Sequence, residues 1–282
     1  MDTKSLPSNI RNFPGSGAEK PASSAQSNYR DYVKSLASTP IQNLHLVIDC
    51  HRYQALIRER KPLVNVLCQE INLWAAALGE REISALFVIS PHRYLLPFEF
   101  TRVLHEIASK FQLTNDATKC YTVVSELREI QSEYLALIKG LGFNRYQVRI
   151  NANNPEDIVE LSKKVNLIRD YNIGDVGVEL SHPDRLDEIR EHIREIQVEC
   201  QPDYICLGNA WNSEDVVFTN AHHDIDPWQE THFDTLELGP HALSQVSDIR
   251  VQNFCANEKF LAALGVNRLP IHTPEPGTVI TN

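Results

Sequence analysis

From Asn43 to Gly208 the chain alternates short apolar runs with longer segments of helical periodicity, and this alternation constrains the fold more than any other feature. The predicted strands are Asn43–Asp49, Ile83–Ser90, Cys120–Val124, Arg145–Ile150, Gly177–Ser181 and Asp203–Gly208. Between them, Leu63, Leu67, Ile71, Trp74 and Leu78 recur at helical spacing before Gly79. Further helices are expected over Pro97–Phe111, from about Arg128 to Lys139, from Asn154-Pro155 to about Tyr171, and after His182-Pro183, where Leu186, Ile189, Ile193 and Ile196 share one face.

Strands that alternate with helices make βαβ units and a parallel sheet. The pattern alone leaves open a partly closed barrel and a doubly wound open sheet. In both, a ligand sits at the carboxyl ends of the strands. Those ends are Asp49/Cys50, Ser90/Pro91, Ser125/Glu126, Asn151/Asn153, Glu179/Ser181 and Asn209/Trp211. Three segments are expected: a flexible lead over residues 1–40 with a short helix at Tyr29–Leu36, a body over 41–272 ending in a helix at Asn257–Leu264, and a flexible tail over 273–282.

A net charge of -10 argues against nucleic acid or an anionic membrane as the main partner. No apolar run reaches the roughly 20 residues needed to cross a bilayer, and the first residues lack the apolar core of a secretory signal, so a cytoplasmic location is expected. The six cysteines form no C-x-x-C pair and are expected to be reduced and mostly buried.

Several motifs resemble one family. G-L-G-F-N-R at Gly140–Arg145 follows S-E-L-R-E-I at Ser125–Ile130, and L-G-P-H-A-L-S at Leu238–Ser244 precedes Val251-Gln252-Asn253. In order and spacing these resemble the oxygen-independent coproporphyrinogen III oxidases, radical S-adenosylmethionine (SAM) enzymes of haem synthesis. The resemblance implies a partial (β/α)6 TIM-like barrel of the radical SAM type.

The departures from the family imply lost chemistry. Its C-x-x-x-C-x-x-C cluster motif falls on Cys50, Gln54 and Ile57, so one thiolate remains where three are needed. Its glycine-rich cofactor segment falls on Ile89–Arg93, a carboxylate position on Val124, a glycine on Arg149, a glutamine on Asn151 and an aspartate on Glu179. The family's C-terminal helical domain is expected to be missing. The 4Fe–4S cluster and S-adenosylmethionine are therefore expected to be lost, with no cofactor required and haem or another porphyrin as the candidate ligand.

The leading expectation is a catalytically inactive homologue that binds a tetrapyrrole or a protein partner. The alternative is an enzyme of porphyrin synthesis that works with a partner or through a new metal site. Candidate ligand-binding residues ring the strand ends: His51, Arg52, His92, Arg93, Arg149 and His182, beside Cys50 and Glu179. Arginine and histidine there could pair with propionates or phosphates. A weaker candidate is the segment with His222, His223, Asp224, Asp226, His232 and Asp234, which are ligand types for zinc or iron in a spacing that matches no zinc motif. The adjacent Cys50-His51 is the remaining candidate, as a nucleophile and its base.

Overall fold

The computed structural model describes residues 22–39, 43–58, 62–115, 119–151, 158–181, 186–207, 216–218, 234–247 and 249–272. Strands β1 (Leu44–Asp49), β2 (Glu82–Ile89), β3 (Gln112–Leu113), β4 (Cys120–Glu126), β5 (Arg145–Asn151), β6 (Asp175–Ser181) and β7 (Tyr204–Leu207) are followed by β8 (Val216–Phe218), β9 (Asp234–Leu238), β10 (Leu243–Val246) and β11 (Ile249–Gln252). The helices are α1 (Ala22–Ala37), α2 (Gln54–Arg58), α3 (Leu63–Leu78), α4 (Pro91–Tyr94), α5 (Pro97–Lys110), α6 (Ser132–Gly140), α7 (Ile158–Asp170), α8 (Leu186–Glu199) and α9 (Asn257–Gly265).

The strands form one sheet in the order β11-β10-β9-β1-β2-β4-β5-β6-β7-β8, with β3 on the edge of β2. The run from β9 through β1, β2, β4, β5 and β6 to β7 is parallel, and β8, β10 and β11 add antiparallel pairs at the two ends. This is an α/β fold with a parallel-dominated sheet. Among the described residues its two end strands do not pair.

Period-two alternation gives each strand two faces. On one face Leu46, Ile48, Leu86, Val88, Val123, Val148 and Val178 join the main core with Leu67, Ile71, Phe100, Leu135 and Leu161 of the covering helices. On the other, Val47, Ala85, Phe87, Ile89, Cys120 and Val124 form a second apolar cluster. Burial on both faces is what a sheet covered by helices outside and curled on itself inside requires.

The register carries the inner face around the curve. One layer runs Val47, Phe87, Thr122, Arg145, Asp175. The next runs Asp49, Ile89, Val124, Gln147, Gly177, Tyr204. The inner face is thus apolar on β2, mixed on β1, where Val47 lies between His45 and Asp49, and polar on β5 and β6. Gly177 is required here: a Cβ would lie 2.2 Å from Cζ of Tyr204, whose ring covers it.

Three elements differ from expectation. The lead contains a longer helix, α1, which is docked: Leu36 is buried, Tyr32 Oη donates to the Arg250 carbonyl (3.0 Å), and Arg268 stacks 4.0 Å from the Tyr29 ring centroid. After Gly208, where the sequence assigned no further strand, lies β9, which pairs along β1. The helix expected from Arg128 begins instead at Ser132, after a 3-10 turn at Leu127–Glu129.

Candidate functional site at the carboxyl ends of the strands

The turn after β1 runs Cys50–Tyr53, and the Asp49 carboxylate caps it by accepting the His51 N–H (3.0 Å). Cys50 is fully buried. Burial, and then the Asp49 charge, push its thiol far above the ordinary range, so it is a neutral thiol. The other two cluster-motif positions diverge from it: Gln54 is exposed and Ile57 half-buried. Cys68, Cys120, Cys200 and Cys206 are buried on other elements and Cys255 is exposed. Among the described residues no group of three His, Cys, Asp or Glu side chains is placed to hold a metal ion. A cluster held by three thiolates does not fit these residues.

The turn after β2 carries the next part of the site. Ser90 is buried with φ 48° and ψ 44°, the left-handed region that favours glycine, and its N–H donates to the Val124 carbonyl (2.7 Å). The backbone therefore has the shape of a glycine turn, while a hydroxymethyl group occupies the space a glycine would leave open. That hydroxyl lies 3.0 Å from His51 Nε2, and His51 Nδ1 lies 2.9 Å from the Tyr94 hydroxyl.

The separation of Ser90 Oγ from His51 Nε2 is that of a nucleophile and its base. Three facts oppose that reading. Ser90 is 1% exposed. Its hydroxyl also points at Glu129 Oε2 (3.5 Å). The following residue is Pro91, which has no amide N–H to hold an oxyanion. The pair fills space. The Cys50-His51 candidate fails as well, because the His51 ring is committed to Ser90 and Tyr94 and the thiol is un-ionised.

His92 and Arg93 meet carboxylates of the β4 turn. His92 Nε2 lies 3.1 Å from Glu129 Oε2, with its ring edge-on to Tyr134. Arg93 lies 3.6 Å from Glu126 and 3.7 Å from Glu129. Burial alone would raise the Glu129 carboxyl, but His92, the Glu126 N–H and Arg93 outweigh it and hold the group below its ordinary value.

On β5 and β6, Arg149 donates to Glu179 through Nε (2.6 Å) and Nη2 (3.3 Å), and Gln147 Nε2 donates to the same carboxylate (2.6 Å). Tyr204 Oη in turn donates to Gln147 Oε1 (3.3 Å). Arg52 reaches across the β1 turn to Glu237 of β9 (2.7 Å). Asn151 is exposed at the end of β5, in register with Ser181. His182, His222, His223, Asp224, Asp226 and His232 lie outside the described residues.

Of the residues in the weak metal candidate, Asp234 lies among the described residues. It is buried at the opposite end of the sheet, where it pairs with Arg81 and accepts the Ser247 N–H (2.6 Å). The structure thus joins Arg149 to Glu179, and it supplies partners that sequence reasoning did not single out: Tyr94, Gln147 and Glu237. Ser90 and Glu126 carried a signal as strand ends, and Glu129 through its place in S-E-L-R-E-I.

Parallel strands with helices outside and a polar mouth at their carboxyl ends define an α/β protein whose ligand site would lie at that mouth. The structure is similar to coproporphyrinogen III oxidase from Escherichia coli, a radical SAM enzyme, with a TM-score of 0.66 and 15% identity over 86% of this chain and 74% of that one. At that identity the likeness is one of fold. A match to HydG, a maturase of the FeFe-hydrogenase, has a TM-score of 0.37 and 11% identity over 67% of this chain and 48% of that one, too slight to bear on the argument. No family model and no curated protein matches the chain.

Proposed function

We propose that this chain is a catalytically inactive relative of the coproporphyrinogen III oxidase fold, without cluster or S-adenosylmethionine chemistry, and that its mouth serves as a binding surface for a tetrapyrrole. One observation carries the loss of chemistry: where three thiolates would have to converge, there is one enclosed, un-ionised thiol, flanked by side chains that bond to one another. A ligand is supported by the lip of the mouth. There Leu96 and Phe98 are 58% and 68% exposed beside Arg93 and Tyr94, a combination that suits a flat apolar macrocycle with carboxylate arms.

The test has two arms. Protein reconstituted with iron and sulfide without oxygen should show no cluster charge-transfer absorbance and no bound iron; a stable cluster would overturn the reading. Titration with coproporphyrin should give a saturable one-to-one shift of the visible spectrum. An unchanged spectrum at micromolar ligand would remove the tetrapyrrole and leave a scaffold for a protein partner.

A further inference from the structure

The turn after β2 holds one side chain whose bonding the proposed function leaves unused. Tyr94 closes the short helix α4 next to Arg93, whose guanidinium lies 5.7 Å from the Tyr94 ring centroid. Tyr94 is partly exposed. The residue after it, Leu95, is buried and donates its N–H to the Pro91 carbonyl (2.7 Å), which fixes the turn. The Tyr94 hydroxyl lies 2.9 Å from His51 Nδ1, and the two rings meet edge to face with centroids 5.3 Å apart.

The partners set the direction of these hydrogen bonds. Glu129 is held ionised by the donors around it, so it only accepts. The Ser90 hydroxyl, 3.5 Å away, directs its proton at Glu129. Ser90 Oγ then accepts from His51 Nε2 (3.0 Å), which leaves Nδ1 without a proton and makes the Tyr94 hydroxyl the donor to it. Tyr94, His51, Ser90 and Glu129 thus pass their protons in one direction, inward. The Tyr94 oxygen keeps its lone pairs on the side away from His51, and its proton already rests against a base.

We propose that Tyr94 is the axial ligand of a ferric porphyrin on the lip, with His51 as its proton acceptor.

This deepens the tetrapyrrole reading and rests on it: among tetrapyrroles it selects those that carry ferric iron. Tyrosine oxygen serves as an axial ligand to haem iron. The step balances. The Fe–O bond forms as the phenol O–H bond breaks, the proton passes to His51 Nδ1, and the water or chloride carried by free haemin leaves the iron. No electron is transferred. The protonated imidazole keeps Ser90 Oγ as the acceptor for Nε2, with Glu129 behind it, an outer partner of the kind that strengthens a metal ligand. Neighbouring side chains that could ligate iron are engaged or enclosed: both His51 nitrogens are bonded, His92 Nε2 meets Glu129, and Cys50 is fully buried. The exposed Leu96 and Phe98 follow Tyr94 in the chain and offer the macrocycle apolar surface.

The experiment titrates the full chain with haemin and, in parallel, with protoporphyrin IX, the same macrocycle without iron, followed by visible absorbance. Wild type should bind both one-to-one and haemin more tightly, and the haemin complex should show a phenolate-to-iron charge-transfer band. Resonance Raman excited in that band should show tyrosine ring modes that shift in protein grown on ring-deuterated tyrosine, a readout that needs no variant. Tyr94→Phe should abolish both the band and the preference for haemin. His51→Leu should keep the band and weaken haemin binding roughly tenfold, the lower end for loss of an outer partner of a metal ligand. Equal binding of the two macrocycles with no band would overturn the ligand and leave the lip reading standing; binding of neither would overturn both. A band that survives Tyr94→Phe would put another ligand on the iron and refute the proposal, and wild-type haemin affinity in His51→Leu would refute the role of His51.

Discussion

Replacing Arg149 by methionine keeps much of the side chain's bulk and removes its charge. Glu179 is 0% exposed and accepts three hydrogen bonds, of which Arg149 supplies two and Gln147 the third. Removing one partner of a buried pair strands the other charge, which costs about 3–5 kcal/mol. Gln147 remains and Arg149 is itself 19% exposed, so the lower end applies, about 3 kcal/mol. The double variant Arg149→Met/Glu179→Met leaves no charge and strands only the Gln147 amide, so it should cost about 1 kcal/mol. Urea unfolding of the four proteins gives the cycle, and the double variant should be more stable than Arg149→Met. If Arg149→Met costs under about 1 kcal/mol, the pair is solvated and the mouth is not closed on itself.

Gly239→Ala forces a left-handed backbone onto a residue with a Cβ and presses it on Tyr53, so it should lower stability by about 2–4 kcal/mol; an unchanged unfolding midpoint would refute the contact. In native protein one thiol, Cys255, should react quickly with Ellman's reagent, and Cys255→Ser should abolish that reaction while Cys50 reacts only on unfolding. His45 and Glu70 should oppose each other in the pH dependence of stability. Burial lowers His45 from 6.5 to about 4, so its contribution is present above 6.5 and lost as pH falls; Glu70 contributes below 4.5 and loses its contribution as pH rises toward about 7. Between about pH 4.5 and 6.5 the two slopes oppose, so Glu70→Gln should lose more stability on acidification than the wild type, and a Glu70→Gln curve no steeper than the wild type's would contradict this.

The fold was legible wherever burial is local. β1 reads as a strand because L-H-L-V-I is buried on both faces, a near-continuous apolar run. β5 is legible although it is half polar, because Tyr146, Val148 and Ile150 alternate with Arg145, Gln147 and Arg149. β9 was not legible. Its D-T-L-E-L looks like a surface segment, yet Asp234 and Glu237 are buried because Arg81 and Arg52 reach them from 153 and 185 residues away. The site divides in the same way. The positions ringing the mouth followed from strand ends, but what each residue does there depended on partners brought by other strands. Glu70 was invisible for the same reason: a glutamate within a helix reads as solvated until three distant donors are seen around it.

A polar mouth must satisfy its own charges, and this one does so in pairs. Arg149 meets Glu179 and Arg52 meets Glu237, each across neighbouring elements. An anionic ligand cannot simply add to such a pair, because a second carboxylate would leave a buried negative charge unmatched. It must either displace the resident carboxylate or bind where the cation is still in water. Among Arg52, His92, Arg93 and Arg149, the most exposed is Arg93, at 40%, and its carboxylates stand off at 3.6 and 3.7 Å. Leu96 and Phe98 follow it closely in the chain. A carboxylate-bearing macrocycle should therefore lie on the lip rather than enter between the strands. Arg93→Ala should weaken coproporphyrin binding by roughly tenfold, the worth of one partly exposed charge-assisted contact, whereas Arg149→Met should leave it within about twofold. The reverse order in a spectral titration would place the ligand inside the barrel and would mean that the Arg149–Glu179 pair opens to receive it.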